Sequence, residues 1–404
     1  MSELKNSSTS GQILAIAAGL CLTFAYGLIS NTMGLFLVPV TEGLHCTRAE
    51  FNLYFTIMSA ASIIAAPIFS RVIGNIRMTH VILTGCVIGT LSYAAFAASK
   101  TIGTIYVASV FLGLIQQICT SIAAVTVVKR VFADEAGFAT GLVMTGTGIC
   151  GAGMGWVLPP VIAAYGWQAG YLIQSGLWFV LTMAAYLLVK RIPDEEPSNE
   201  KPAEAKEKAG TEEKRAKGTG RWNAKFCVMF LCILLSSMTS IYIHHMPPYF
   251  QSCGRSSAES GRLVSMFSIV SIPAKLVLGW LYDRGNKALV SVIEILCMAA
   301  GMVMMLNPSL LMPGTVLFAA GIPTITVLFP LITGTIFGRE EYAAVWTLLS
   351  MAVSLGTAMG SPLWGLLYDV TGSYRSGMIV MPGVVAAAAF LIWTMMKMTE
   401  EKKK

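Results

Sequence analysis

The sequence predicts an all-α membrane protein of twelve transmembrane helices arranged as two six-helix halves, and three observations predict it. Of 404 residues, 55% are hydrophobic and only 12% are charged, a balance that excludes an ordinary soluble globule. Some twelve apolar runs near twenty residues long alternate with short polar turns, and runs of that length cross hydrocarbon as helices rather than as barrel strands. The stretch 131–160 also recurs at 336–365 with a constant offset of 205 residues, which marks a duplicated half. In that repeat Phe132 falls on Phe337, Glu135 on Glu340, Gly151 on Gly356, Met154 on Met359 and Gly155 on Gly360.

Residues 1–12 are polar and Ser-rich and predict a disordered cytoplasmic N-terminus. The first half covers 13–190, with runs at 13–40, 51–73, 78–98, 105–128, 137–164 and 168–189. The first run is too long, and too poorly preceded by basic residues, to be a cleaved signal, so it counts as a span. A linker at 191–222 mixes eight acidic residues with eight basic ones and has no apolar periodicity, which predicts mobile cytoplasmic chain. The second half covers 223–397, with runs at 223–250, 260–282, 287–306, 309–337, 342–368 and 376–396, and residues 398–404 form a cytoplasmic tail.

Of the 28 Lys and Arg residues, 22 fall on the side that carries both termini, which predicts that side to be cytoplasmic in a multi-pass protein of the cell membrane. The formal charge of +7 is then a topology signal, and no nucleic-acid partner is needed to explain it. The nine cysteines show no CxxC pair and no His spacing suited to a metal. Cys46 and Cys253 lie in equivalent outer loops, where free thiols are the favoured reading and a disulfide between them the other option. No metal and no cofactor are expected.

The polar residues inside the runs are the candidates for function. In the first span Asn31 lies near the middle; Asn in lipid is more often interhelical glue than a ligand, but on a cavity-lining helix it would reach substrate. Gln116 and Gln117 in the fourth span point about 100° apart, so at most one lines a cavity, and the sequence leaves open which. The close-spaced Gly146, Gly148, Gly151, Gly153 and Gly155 of the fifth span predict tight helix packing. The seventh span ends in Tyr242, His244, His245 and Pro247-Pro248, where the histidines are either polar termini or carriers of a coupling proton.

The eighth span carries Lys275, about eight residues and so roughly 12 Å before the turn at Asp283-Arg284. An ammonium at that depth costs at least ~2.5 kcal/mol on insertion scales, so it must face protein, water or a ligand rather than lipid. One reading has it attracting an anion; the other has its stem snorkelling to the interface or its ammonium meeting carbonyls freed by Pro273. Glu294 in the ninth span is the second buried charge. It can pair with Lys275, relay a proton, or lie protonated against a neighbouring helix, the last being the plainest choice.

The turn after the eighth span reads Gly279-Trp280-Leu281-Tyr282-Asp283-Arg284-Gly285-Asn286-Lys287, and a degenerate copy runs from Pro67 to Arg77, with Gly74 opposite Gly285 and, across a one-residue gap, Arg71 opposite Asp283. With six plus six spans, the chain resembles the major facilitator superfamily. Within it, residues 24–40, 132–155 and 166–173, and Lys275 four residues before Gly279, are similar to the branch of monocarboxylate transporters and oxalate/formate antiporters. The resemblance implies a monomeric secondary transporter moving a small organic anion, a monocarboxylate first of all, by symport or antiport. Two halves would rock about a site lined by the first, fourth, seventh and tenth spans. It implies a substrate contact from Lys275; Asn31, Gln117, Tyr242 and Phe329 are the candidates for further polar or stacking contacts, and His244, His245 and Glu294 for coupling to a proton or counter-anion. Arg71, Gly74, Gly279, Asp283 and Arg284 would form the conformational signature.

Members of that branch keep Arg where Lys275 stands; Lys retains the charge and loses the bidentate fork. Arg71 replaces a usual acidic residue, Gln168 a usual Arg, and Ser271 a frequent Asp, and the eleventh span has no Lys. The alternative is an exporter of amphipathic or cationic compounds, for which Glu294 would have to supply the carboxylate. A sensor without transport ranks lower, since the linker shows no folded domain. An enzyme ranks lowest: there is no nucleophile elbow, metal-spaced set or phosphate loop.

Overall fold

The computed structural model describes residues 2–72, 77–116, 118–132, 136–192 and 224–401, and helix is the only regular structure among them. Nine of the helices are long and apolar enough to cross a membrane. One of these, Ala139–Lys190, breaks at Gly166, whose φ of 83° suits a residue without a Cβ, and so supplies both the fifth and sixth spans. Arg48–Val72, and the part of Phe329–Thr371 beyond a similar break at Gly338, supply the second and eleventh. Charged residues at their ends, among them Arg48, Glu50, Glu340 and Asp369, dilute their apolar character. The described residues thus form twelve spans, six in each half of the sequence.

The first helix begins at Ser2 and runs through most of the stretch expected to be disordered, and the last, Arg375–Glu401, runs into the expected tail. Once an apolar helix is nucleated, each further residue adds a hydrogen bond without a new nucleation cost, so polar residues extend it. Residues 193–223, which hold almost all of the expected linker, lie outside the described residues. No disulfide joins Cys46 to Cys253.

The chain divides into two compact units, one of Met1–Glu196 with Ile243–Ile269, the other of Pro197–Tyr242 with Val270–Lys404. The outer ends of the seventh and eighth spans pack within the first of these units. Ser265 Oγ donates to the Ala152 carbonyl at 2.7 Å, and the Arg262 guanidinium lies 5.6 Å from the Trp156 ring. The Gly155 and Gly261 backbones approach so closely that a Cβ on either would overlap the other's carbonyl oxygen.

Inside the first unit Phe36 stacks on Tyr171 with centroids 4.0 Å apart, and the buried Trp178 donates from Nε1 to the Gly85 carbonyl at 3.0 Å. In the second unit Trp364 does the same to the Met238 carbonyl at 3.1 Å. Such polar ties matter in lipid, where apolar surface alone gives helices little reason to associate.

Candidate functional site

Among the described residues the first, fourth, seventh and tenth spans depart from continuous α-helix in two matched pairs, and the fifth has one further break, at Thr145 between Ala136–Met144 and Gly146–Lys190. The first span splits into Ser2–Ser30 and Met33–Leu44. The seventh splits into Ala224–Ser240, a 3-10 turn at Ile241–His244, and Met246–Ser252. The fourth carries a π turn at Ile118–Ile122 and the tenth another at Thr324–Leu328. Interrupted helices in a membrane expose backbone polar groups that the protein must satisfy, and they recur where transporters hold substrate.

The break in the first span shows how that is done. Ser30, Asn31 and Thr32 give three polar residues in a row. His244 Nε2 lies 3.2 Å from the Ser30 carbonyl, and Thr32 Oγ1 donates to the Leu28 carbonyl at 2.6 Å. Gln174 Nε2 of the sixth span donates to Thr32 Oγ1 at 2.5 Å, and Asn31 Nδ2 donates to the Thr147 carbonyl of the fifth at 2.6 Å. Two side chains, from the sixth and seventh spans, and one backbone carbonyl, from the fifth, therefore hold the break open. Asn31 acts here as the interhelical glue that is the commoner role for Asn in lipid.

His244 is 3% exposed, its ring edge meets Phe55 at 4.8 Å, and among the described residues its Nδ1 is buried without a partner. His245 is fully buried at the start of Met246–Ser252. Of the expected site residues, the structure brings Asn31 and His244 together about Ser30.

Lys275 is half-buried in the middle stretch of Ser257–Arg284, one turn past the buried Ser271. Among the described residues it makes no hydrogen bond and no ion pair, so Glu294 does not neutralise it. Glu294 Oε1 is itself buried without a partner. Tyr242 is fully buried, with its hydroxyl 3.5 Å from Met378 Sδ and its ring against Phe318 and Trp364 at 5.6 and 5.1 Å. Phe329 is equally buried, directly after the π turn of the tenth span.

Gln117 and Gly74 lie outside the described residues. Arg71 is on the helix Arg48–Val72. Gly279 has open space where a Cβ would stand, Asp283 is exposed, and Arg284 lies 5.0 Å from the Trp280 ring.

The sequence reading missed Thr32, Gln174 and Thr324. Thr324 Oγ1 sits in the tenth-span π turn, buried and without a hydrogen-bond partner among the described residues, as do Ser236 and Ser237 Oγ in the seventh span. Pro323 immediately before Thr324 was the available signal, since a proline removes a backbone donor and loosens the ladder there.

The family model for the Major Facilitator Superfamily matches residues 18–337 and, in a second match, 254–404. Monocarboxylate transporter 12 of Rattus norvegicus is 22% identical over 399 residues, covering 86% of this chain and 81% of its own. Monocarboxylate transporter 11 of Homo sapiens is 21% identical over 395 residues, covering 94% and 82%. Among solved structures, the nucleoside transporter NupG superposes with a TM-score of 0.75 at 12% identity, covering 95% of this chain and 99% of that one. A D-xylose-proton symporter gives 0.73 at 12% identity, covering 95% and 97%. At such identities the structural likeness speaks to the fold.

Proposed function

We propose, from the premise that this chain belongs to the major facilitator superfamily, that it is a secondary transporter which carries a small organic anion, a monocarboxylate first of all, by alternating access. The observation that carries the reading is the unpartnered ammonium of Lys275, held half-buried in mid-span on a helix that also bears Pro273. A cation kept there without a carboxylate is costly unless an anion visits it. Relatives named as monocarboxylate transporters across most of the chain support the choice of anion.

In this reading Lys275 supplies charge, and the interrupted first, fourth, seventh and tenth spans supply polar groups around the substrate. Thr324, Ser236 and Ser237 join as hydroxyl donors that now lack partners. Tyr242 and Phe329 give the second half a packed wall, and Gln117 remains a contact proposed from the sequence. His244, with one ring nitrogen engaged and the other unpartnered, is the preferred coupling group over His245, and a counter-anion on Lys275 is the alternative to a proton. Binding drives the cycle only if substrate interacts more strongly with one conformation than with the other, and neutralisation of Lys275 supplies such a difference. The signature turn, with Arg71, Gly74, Gly279, Asp283 and Arg284, is assigned to the conformational step, and both termini to the cytoplasm.

The test is counterflow in proteoliposomes loaded with a panel of mono- and dicarboxylates, comparing wild type with Lys275→Gln. A hydrogen bond to a charged group is worth about 1.5 to 3 kcal/mol, so at least a tenfold loss of exchange is expected while the protein stays folded. If no carboxylate moves, or if Lys275→Gln exchanges as well as wild type, the anion reading fails. The unpartnered carboxyl oxygen of Glu294 then favours the exporter of amphipathic or cationic compounds.

A further inference from the structure

Beyond the transport site, the second unit carries three cations set on aromatic rings at the end where its eighth span stops, its ninth starts and its twelfth stops. Arg284 lies 5.0 Å from the Trp280 ring, Lys397 4.7 Å from the Trp393 ring, and Lys287 5.5 Å from the Tyr282 ring. The Trp pairs share one device, a tryptophan followed four residues later by a cation, which places both on one helix face with the charge nearer the helix end. Ser291 Oγ reaches Met396 Sδ at 3.5 Å and Lys287 O at 2.7 Å, which brings the start of the ninth span beside the end of the twelfth. Tyr282 anchors the eighth span to the same corner through its hydroxyl, 2.9 Å from Thr335 Oγ1.

Trp280 is 53% exposed and Trp393 37%, and all three cations are exposed. Among the described residues none of the three is ion-paired; in sequence Asp283 precedes Arg284, and Glu400 and Glu401 follow Lys397. Exposed indoles at the end of a membrane span sit at the headgroup level, and unpaired cations beside them face phosphate.

We propose that this corner, built from Trp280, Arg284, Lys287, Trp393 and Lys397, binds the phosphate of an anionic phospholipid headgroup. The rings hold the cations in place and lie against the upper acyl chain and glycerol, while the ammonium and guanidinium groups take the phosphodiester. The three exposed cations, none of them ion-paired among the described residues, present the charge that a singly negative headgroup complements.

The full chain in detergent is titrated with short-chain phosphatidylglycerol, and retained lipid is counted by native mass spectrometry, with phosphatidylcholine of the same chain length as the neutral reference. One cation near an anionic surface is worth about a factor of five in affinity, so the triple variant R284Q/K287Q/K397Q is expected to bind phosphatidylglycerol about a hundredfold more weakly. A second triple variant, R130Q/K190Q/R191Q, removes equal charge from exposed positions at the ends of the fourth and sixth spans and is expected to keep the wild-type affinity. Because all six side chains are exposed or terminal, thermal unfolding midpoints should match wild type and certify that both variants fold. Equal affinity for the two lipids in wild type overturns the proposal. So does an equal loss in both triple variants, which would mean unspecific charge attraction, and so does displacement of the lipid by inorganic phosphate at equal concentration, which would mean a site for free anions.

Discussion

The two copies of the internal repeat share two glycine positions, Gly151 with Gly356 and Gly155 with Gly360, and use them differently. In the first copy, a Cβ on Gly151 would collide with Ser268 Oγ and come within 3.1 Å of Asn31 Cβ, and one on Gly155 would collide with Ser265 and the Gly261 carbonyl. Its glycines therefore seat the outer part of the eighth span. In the second copy, the matching Gly356 would meet the Leu234 carbonyl at 2.5 Å and Ser237 Cβ at 2.7 Å, and Gly360 would meet Ile241 Cγ2 at 2.7 Å and Met238 Cα at 2.9 Å. These glycines seat the seventh span of their own half. A small residue licenses close approach of two backbones; it does not name the partner. Duplication has thus kept the licence and changed its use, so that one seam ties Ile243–Ile269 to the first half while the other consolidates the second unit.

The largest expected effects come from filling each seam. If the chain works by the alternating access proposed above, the first seam opens and closes in each cycle, whereas the second stays shut. Gly155→Val is therefore expected to cut counterflow at least tenfold with little change in the thermal midpoint, because the outer part of the eighth span can stand away from the first half. Gly360→Val overpacks a permanent contact, which costs about 1 to 3 kcal/mol, and is expected to lower the midpoint measured by tryptophan fluorescence. Equal loss of stability in both variants would remove the distinction between a working seam and a fixed one.

A second pair of variants sharpens the comparison of the interrupted first and seventh spans. His244→Leu keeps the bulk and withdraws the donor from the Ser30 carbonyl, which leaves a buried acceptor unmet and is expected to cost about 1 to 3 kcal/mol. Asn31→Ala removes only one tie to the Thr147 carbonyl, and membrane interhelical hydrogen bonds average about 0.6 kcal/mol. A midpoint drop for Asn31→Ala larger than for His244→Leu would show that the first span is held open from the fifth span rather than from the seventh.

These residues also mark what was legible in the chain itself. Twelve spans and their duplication could be read because hydrophobic run length and a fixed offset are one-dimensional signals. Lys275 could be read as a charge in the wrong solvent. Whether Ser30-Asn31-Thr32 formed a polar face or a broken helix could not, since the deciding donors, His244, Gln174 and Asn31 itself, meet only in space. The fifth-span glycines announced close packing, but their partner is more than a hundred residues away. The pairs Thr47 with Glu50 and Ser256 with Glu259 were legible and overlooked. In each, the hydroxyl accepts from the Glu N–H and the carboxylate accepts from the Thr or Ser N–H, a capping box that starts the second span and the eighth alike.

Just before those two caps lies the smallest contrast between the halves. The outer extension of the first span ends at His45, with φ of 52°, and that of the seventh ends near Gly254, with φ of 82°. His45 is the one non-glycine residue with positive φ among those described. A left-handed conformation costs a residue bearing a Cβ about 1 to 2 kcal/mol, part of which glycine returns through its greater freedom in the unfolded chain. His45→Gly is therefore expected to raise the unfolding free energy by up to about 1 kcal/mol, and Gly254→Ala, whose new methyl would meet no atom within 4 Å, to lower it by about the same. Because the Ala side chain has free space, any loss measures backbone strain alone. If Gly254→Ala is neutral, the turn before the eighth span relaxes to an ordinary φ, and the likeness between the two outer turns ends at their caps.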